Sequence, residues 1–326
     1  MNLTALTGSK AAPVTAAPLS TEAARAVLAS HARSFRFAGA FLPRTHLDDA
    51  AIVYAFCRTV DDAVDDAPSL AAAQAEAKAL ARELRGEAEP RPEVAAFRGA
   101  SGRLGIEPRF AEDLVAGVTF DAEERVVIAD DAELLRYCYL VAGTVGGMMC
   151  SVLGVRDARA LPFAIDLGIA MQLTNICRDV LEDAQRGRVY LPATRLRAVA
   201  VDPATFVARV QTGSVDRGAV ADVVRQLLQL ADAYYARADR GMGFIPLRSR
   251  FAILVASRVY RAIGVKLLRA GGNPLAGRTV VPMWEKLAWA VRGALAFVSP
   301  RTWTQKRDAP QIGPPDRSPK TAATAP

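Results

Sequence analysis

Histidine is nearly absent from this chain: His31 and His46 are the only two, and they read as surface or capping residues. Cysteine is scarce as well. Cys57, Cys138, Cys150 and Cys177 form neither a CxxC pair nor a Cys/His cluster, which argues against a zinc centre. All four sit in apolar segments and read as free thiols filling a core in a reducing cytoplasm. The first 20 residues hold one lysine and no apolar stretch of the kind a secretory leader needs. No run reaches ~18 apolar residues without a charge, so no membrane-spanning helix is expected. Aromatic residues make up 7% of the chain and are not interleaved with basic ones, so no nucleic-acid module is expected. Long β-branched alternation is missing while alanine is abundant, which leaves an all-α fold.

With 326 residues and 51% hydrophobic content, the chain can bury a large core. Residues 1–20, rich in Ala, Thr and Pro, and the Pro-rich basic tail 301–326 read as disordered, leaving one domain over 21–300. Thr21 is placed to cap the first helix. Helical patterns follow at 47–66, 71–85, 93–104, 109–120, 131–153, 160–184, 215–240, 247–270 and 283–298. The net charge of +7 is concentrated at the C-terminal end, where residues 271–326 hold eight basic and three acidic side chains. The segment MWEKLAWAVRGALAFV (283–298) is amphipathic. Together with the basic tail it suggests peripheral contact with an anionic lipid surface through 283–326.

Two helices carry acids on one face. In YAFCRTVDDAVDD (54–66), at ~100° per residue, Arg58, Asp61, Asp62 and Asp65 share an arc of roughly 100°. In QLTNICRDVLEDAQRGRVYLP (172–192), Gln172, Asn175, Asp179 and Asp183 form one stripe, flanked by Arg178 and Glu182 as an i,i+4 pair. Like charges at this spacing repel, and acids in an apolar helix are costly unless paired. Two such helices face to face would make an oxygen-lined cleft suited to Mg²⁺ shared with a diphosphate. Arg58, Arg178 and Arg188 would supply direct phosphate contacts.

These motifs, with RSFRFAGAFLP (33–43), YCYLVAGTVGGMMC (137–150) and the looser ASRVYRAI (256–263), resemble the squalene/phytoene synthase family, its phytoene-forming branch in particular. The likeness spans about 20–265. It implies an isoprenoid-synthase helical fold around a central apolar cavity, and head-to-head (1–1′) joining of two prenyl diphosphates via a cyclopropylcarbinyl diphosphate. By this resemblance Asp61, Asp65, Asn175, Asp179 and Asp183 hold Mg²⁺, for which Mn²⁺ can substitute, and Asp62 supports them. Arg33, Ser34, Arg58, Arg178, Arg188, Tyr190 and Gln172 contact substrate, and Tyr137 and Tyr260 line the cavity by the reacting carbons. Where the family often has a serine two places before that of the Ser-Phe pair, this chain has Ala32, which removes one supporting contact.

The resemblance also bears on chain length. Gly39 and Ala51 are small and fall on the expected cavity wall, where C15-using relatives carry bulkier residues. Two C20 (geranylgeranyl) diphosphates are therefore the expected substrates, with no NADPH. A squalene or dehydrosqualene synthase using two C15 diphosphates is the alternative. A terpene cyclase or chain-elongating prenyltransferase, and a non-enzymatic helical protein, are the more distant readings. A downstream carotenoid desaturase is an expected partner, and the cytoplasm the expected location, with peripheral contact on the inner face of the cell membrane. Gly143, Gly146 and Gly147 read either as a helix break beside the cleft or as a close helix contact, and Met148 and Met149 as pocket or core lining.

Overall fold

The structure, a computed structural model, describes residues 17–31, 37–123 and 126–289. Arg33, Ser34 and the tail from 290 onward lie outside the described residues, as does most of 1–20. In chain order the helices are α1 (Thr21–His31), α2 (Arg44–Asp65), α3 (Leu70–Arg85), α4 (Pro92–Leu104), α5 (Pro108–Asp121), α6 (Asp131–Cys138), α7 (Thr144–Val152), α8 (Leu161–Gln185), α9 (Ala193–Ala198), α10 (Phe206–Gln211), α11 (Arg217–Arg240) and α12 (Leu247–Arg269). Residues 283–289 are also helical. Among the described residues the only β pairing is one parallel bridge, Val127 to Val189.

Local chemistry sets several boundaries. Ser20, not Thr21, caps α1 by accepting the Ala23 N–H at 3.2 Å, because the hydroxyl must precede the helix to reach its free amides. Ser69 does the same for α3, and Pro92 and Pro108 open α4 and α5, where a missing N–H costs nothing. The expected helix 131–153 is interrupted: Tyr139–Gly143 winds as a π turn between α6 and α7.

The glycines of VAGTVGG serve close packing. A Cβ on Gly146 would fall 2.2 Å from the Ala164 carbonyl oxygen, and one on Gly168 2.2 Å from that of Ala142. Helix α7 and the π turn thus lie directly against α8. Met148 is core, whereas Met149 faces the cavity.

By length and composition 158–185 would pass for a membrane-crossing helix, although Asp166 interrupts its apolar run. Its apolarity has another cause. Helix α8 is the central helix, and it buries Leu173, Ile176, Cys177 and Val180 against Val220, Val224, Leu227 and Tyr235 of α11. A second core gathers Val53, Phe56 and Val60 of α2 with Phe97, Phe110, Leu114 and Met148. Within it the Phe56 and Phe97 rings stack at 4.0 Å. His46 is half-buried; its Nδ1 lies 2.7 Å from the Ser249 hydroxyl and ties α2 to α12.

Candidate active site

A cavity of about 350 Å³ runs between α2, the π turn with α7, α8 and α12. Each wall contributes one face: Leu47, Ala50, Tyr54, Cys57 and Asp61 from α2; Val141, Val145 and Met149; Phe163, Leu167, Met171, Gln172 and Asn175 from α8; Ala252, Ala256 and Tyr260 from α12. The polar lining residues, Tyr54 and Asp61 of α2, Gln172 and Asn175 of α8 and Tyr260 of α12, each fall toward the same end of their wall, whereas the wall from the π turn and α7 is apolar. The cavity therefore has an apolar body and one polar mouth.

The two acidic rows meet at that mouth. Helix α8 ends at Gln185, and Gly187, with φ of +79°, turns the chain back where a side chain would be strained. The bridge to Val127 then pins the returning strand: Val189 donates to the Val126 carbonyl at 2.9 Å and accepts from Ile128 at 3.1 Å. Arg188 is thereby held 2.7 Å from Asp65 of the first acidic row, and Arg186 reaches the same carboxylate at 3.0 Å. Arg58 Nε donates to Asp62 at 2.9 Å. Arg178 grips its neighbour Asp179, with Nε donating at 2.7 Å. The expected Arg178–Glu182 pair gives way to this adjacent pair. Glu182 is taken instead by Arg278, 3.3 Å away, which also lies 3.4 Å from Asp179.

Solvent reaches Asp61 from the cleft, yet the surroundings of its carboxyl are dense protein. Burial pushes it up to about 7; Arg58 opposes this, and Asp65 and Asp121 add to it. Asp183 is likewise pushed up to about 7, by burial first and then by Asp179 and Asp121, against Arg188 and Arg186. Asp121 thus acts on both rows. It is itself raised by burial, and it accepts the Tyr190 hydroxyl at 2.5 Å and the Tyr137 hydroxyl at 3.0 Å. The two tyrosine rings stack at 5.0 Å, and burial pushes both hydroxyls up.

The expected residues sort as follows. Asp61, Gln172, Asn175, Tyr260 and Gly39 line the cavity. Asp62, Asp65, Asp179, Asp183, Arg58, Arg178 and Arg188 surround its mouth through the ion pairs and charge couplings above. Tyr137 does not line the cavity; it packs in the core with its hydroxyl on Asp121. Ala51 is fully buried against Ala24 and Leu28 of α1, because the cavity face of α2 follows 47, 50, 54, 57 and 61, and 51 turns away. Cys57 and Cys150 line the cavity, whereas Cys138 and Cys177 are core.

Four contributors escape the sequence reading: Tyr54, Asp121, Arg186 and Arg278. Tyr54 shares a helical face with Asp61, seven residues on, and that spacing would have found it. Asp121 and Arg278 stand alone in their segments and carry no such signal.

The donor set suits a hard cation shared with an anionic ligand. Asn175 Oδ1 is buried with no hydrogen-bond partner, and Asp61 and Asp183 are raised by burial first and by neighbouring carboxylates second. No three acidic or other ligating side chains among the described residues converge closely enough to hold an ion alone. Ligand and water oxygens would have to complete the shell, as Mg²⁺ commonly requires.

An all-α body with a deep apolar cavity, and with carboxylates and arginines gathered at its mouth, has the shape and charge that suit a long apolar chain with an anionic head. The chain belongs to the squalene/phytoene synthase family, whose model matches residues 28–285. It is 41% identical over 218 residues to a phytoene synthase of Pseudescherichia vulneris, covering 64% of this chain and 68% of that one. It is 37% identical over 262 residues to a 15-cis-phytoene synthase of Enterobacter agglomerans, covering 77% and 86%. Among solved structures, a dehydrosqualene synthase in complex with ligand aligns with a TM-score of 0.74 at 26% identity, covering 84% of this chain and 95% of that one.

Proposed function

We propose that the protein joins two geranylgeranyl diphosphates head to head, through a cyclopropylcarbinyl diphosphate, to phytoene. The observation that carries the C20 assignment is the length of the apolar body. From Asn175 to Phe163, α8 advances ~18 Å at 1.5 Å per residue, and Phe163, Leu167, Met171, Gln172 and Asn175 line the cavity along it. At about 1.2 Å per bond of extended chain, the main chain of a C20 prenyl group spans ~18 Å and that of a C15 group ~13 Å. A C15 chain would leave about the far quarter of that length empty.

The hard step is ionising an allylic diphosphate. Asp61, Asp65, Asn175, Asp179 and Asp183 are the residues that would hold Mg²⁺, whose charge would there help neutralise a leaving diphosphate. Arg58, Arg178, Arg188 and Arg278 stand around the same mouth and can follow the leaving group as charge develops on it. Tyr260, whose hydroxyl burial pushes up to about 12, and Tyr54 line the neck as neutral phenols beside the cation. The apolar walls keep water from quenching it. Tyr190 and Tyr137 hold Asp121 by two hydrogen bonds between the acid rows. Proton loss ends the sequence, so no NADPH is required.

A second part of the reading concerns location. The segment 280–289 packs Val281 and Trp289 against α12 and buries Lys286, and Glu285 pairs with Lys266 at 2.9 Å, while Val280, Met283, Trp284 and Leu287 are each more than half exposed. Next to a basic tail and an apolar product, this face suits peripheral contact with an anionic membrane on its cytoplasmic side, where a desaturase would receive the product.

The direct test is incubation with Mg²⁺ and C20 or C15 diphosphate, with and without NADPH, followed by identification of the extracted hydrocarbon. A C40 hydrocarbon from C20 without NADPH supports the reading. A C30 hydrocarbon as the preferred product would replace it with the dehydrosqualene or squalene alternative.

A further inference from the structure

The end of the cavity opposite the acids is closed by aromatic rings. Phe163, in the first turn of α8, lines the cavity and is 4% exposed. Its ring stacks on Phe244 at 5.9 Å with the planes 22° apart, and Phe244 does not line the cavity. Behind Phe244 the Arg159 guanidinium sits 5.7 Å from the ring centroid, and this arginine side chain is 65% exposed. From the cavity outward the order is therefore ring, ring, guanidinium, water.

Phe163 has little room to retreat. A Cβ on Gly241 would lie 2.2 Å from the Phe163 Cβ, so backbone presses on the base of this side chain. Ala160, Met242 and Ile245 complete the apolar end.

We propose that Phe163 sets the upper limit on prenyl chain length, with Phe244 as the seal behind it. The proposal rests on the C20 reading above and adds the residue that stops the chain. Replacing Phe163 with alanine removes six ring carbons, and one isoprene unit has five. The space released is contiguous with the cavity and lies on the line of the chain. Phe244 remains to keep water out.

The test uses the full-length protein and the variants Phe163→Ala and Phe163→Leu. The kcat/KM ratio for C25 over C20 diphosphate should rise about 10- to 100-fold in Phe163→Ala, the range one hydrocarbon unit can give, and less in Phe163→Leu. A folded Phe163→Ala protein whose ratio stays within twofold of wild type overturns the proposal. A second readout needs no turnover. Binding of saturated alkyl diphosphates from C12 to C22 with Mg²⁺, by calorimetry, should strengthen with length and level off in the wild type. In Phe163→Ala the levelling should move about four to five carbons further. An unmoved cut-off also overturns the proposal. A wild-type protein that yields no hydrocarbon from C20 defeats the proposed reaction instead, and the alkyl series then decides the limit by itself.

Discussion

Arg278 Nε lies 3.4 Å from Asp179 Oδ1, so a loop after α12 supplies a cation to the second acidic row of α8. The same guanidinium reaches Glu182 at 3.3 Å, and its side chain is half exposed. It partly neutralises the carboxylates, and in the proposed reaction it would be one of the cations offered to the diphosphate. Arg278→Ala should raise KM for the prenyl diphosphate about 10-fold, as expected for one lost charge-assisted contact. It should also tighten binding of Mg²⁺ alone, because a competing cation is gone. Stability should change by less than about 1 kcal/mol, since exposed pairs contribute little. Steady-state kinetics and Mg²⁺ titration check both arms; unchanged values in both would remove Arg278 from the site.

Asp179→Asn should abolish turnover, lowering kcat by at least about 100-fold. The neutral amide keeps the shape of the side chain but gives up its charge to any bound cation. The fold should survive, because Asp179 is not part of the packing of α8 on α11. Circular dichroism and a thermal melt separate the two effects. Normal activity would refute the assignment.

The α8 acids were legible in the sequence because helical periodicity alone puts Asn175, Asp179 and Asp183 on one face. The same arithmetic ordered the α2 face, and it shows why Ala51 was misplaced: it lies three residues before Tyr54 but ten before Asp61, off the 47–50–54–57–61 stripe. The π turn was not legible, because one extra residue per turn leaves no mark on an apolar stretch. Nor was Asp121, whose role depends on two tyrosines, Tyr137 and Tyr190, that only the folded chain brings together. Arg278 is similar. A single arginine in a Gly-Pro loop has no pattern, and its partner lies on another helix.

Asp61 and Asp183 are both raised to about 7 in the folded protein, against roughly 4 in an unfolded chain. Between these values the folded state binds more protons than the unfolded one. Their contribution to stability is therefore fully present below pH ~4 and is lost as pH rises to ~7. Without metal, the melting temperature of Asp61→Asn should fall less than that of the wild type between pH 5 and 8. Added Mg²⁺ with inorganic pyrophosphate should restore wild-type stability at pH 8. A wild-type profile that matches Asp61→Asn across this range would show that the carboxyl ionises freely.

The exposed face at Met283, Trp284 and Leu287 gives a measurable outcome at vesicles. Full-length protein should co-sediment with anionic vesicles, and Trp284→Glu combined with Leu287→Glu should reduce the bound fraction severalfold. Neither side chain is buried, so the fold is not at stake. Removing 290–326 should weaken the salt-sensitive part of binding. Equal sedimentation of wild type and double variant would rule out this face.

Gly39 lines the cavity level with Leu47, and a Cβ built on it would lie 3.1 Å from the Leu47 Cδ1 methyl, the movable end of a side chain. A phenyl ring at position 39 therefore has to occupy cavity space near the end remote from Asp61. Gly39→Phe should shorten the usable body by about one isoprene unit. The kcat/KM preference should shift from C20 toward C15 diphosphate by roughly 10- to 200-fold. Ala51→Phe provides the contrast. Its side chain points into the α1–α2 contact, so it should lower the melting temperature and leave chain-length preference as it is. If Gly39→Phe folds and keeps the wild-type preference, position 39 does not bound the chain.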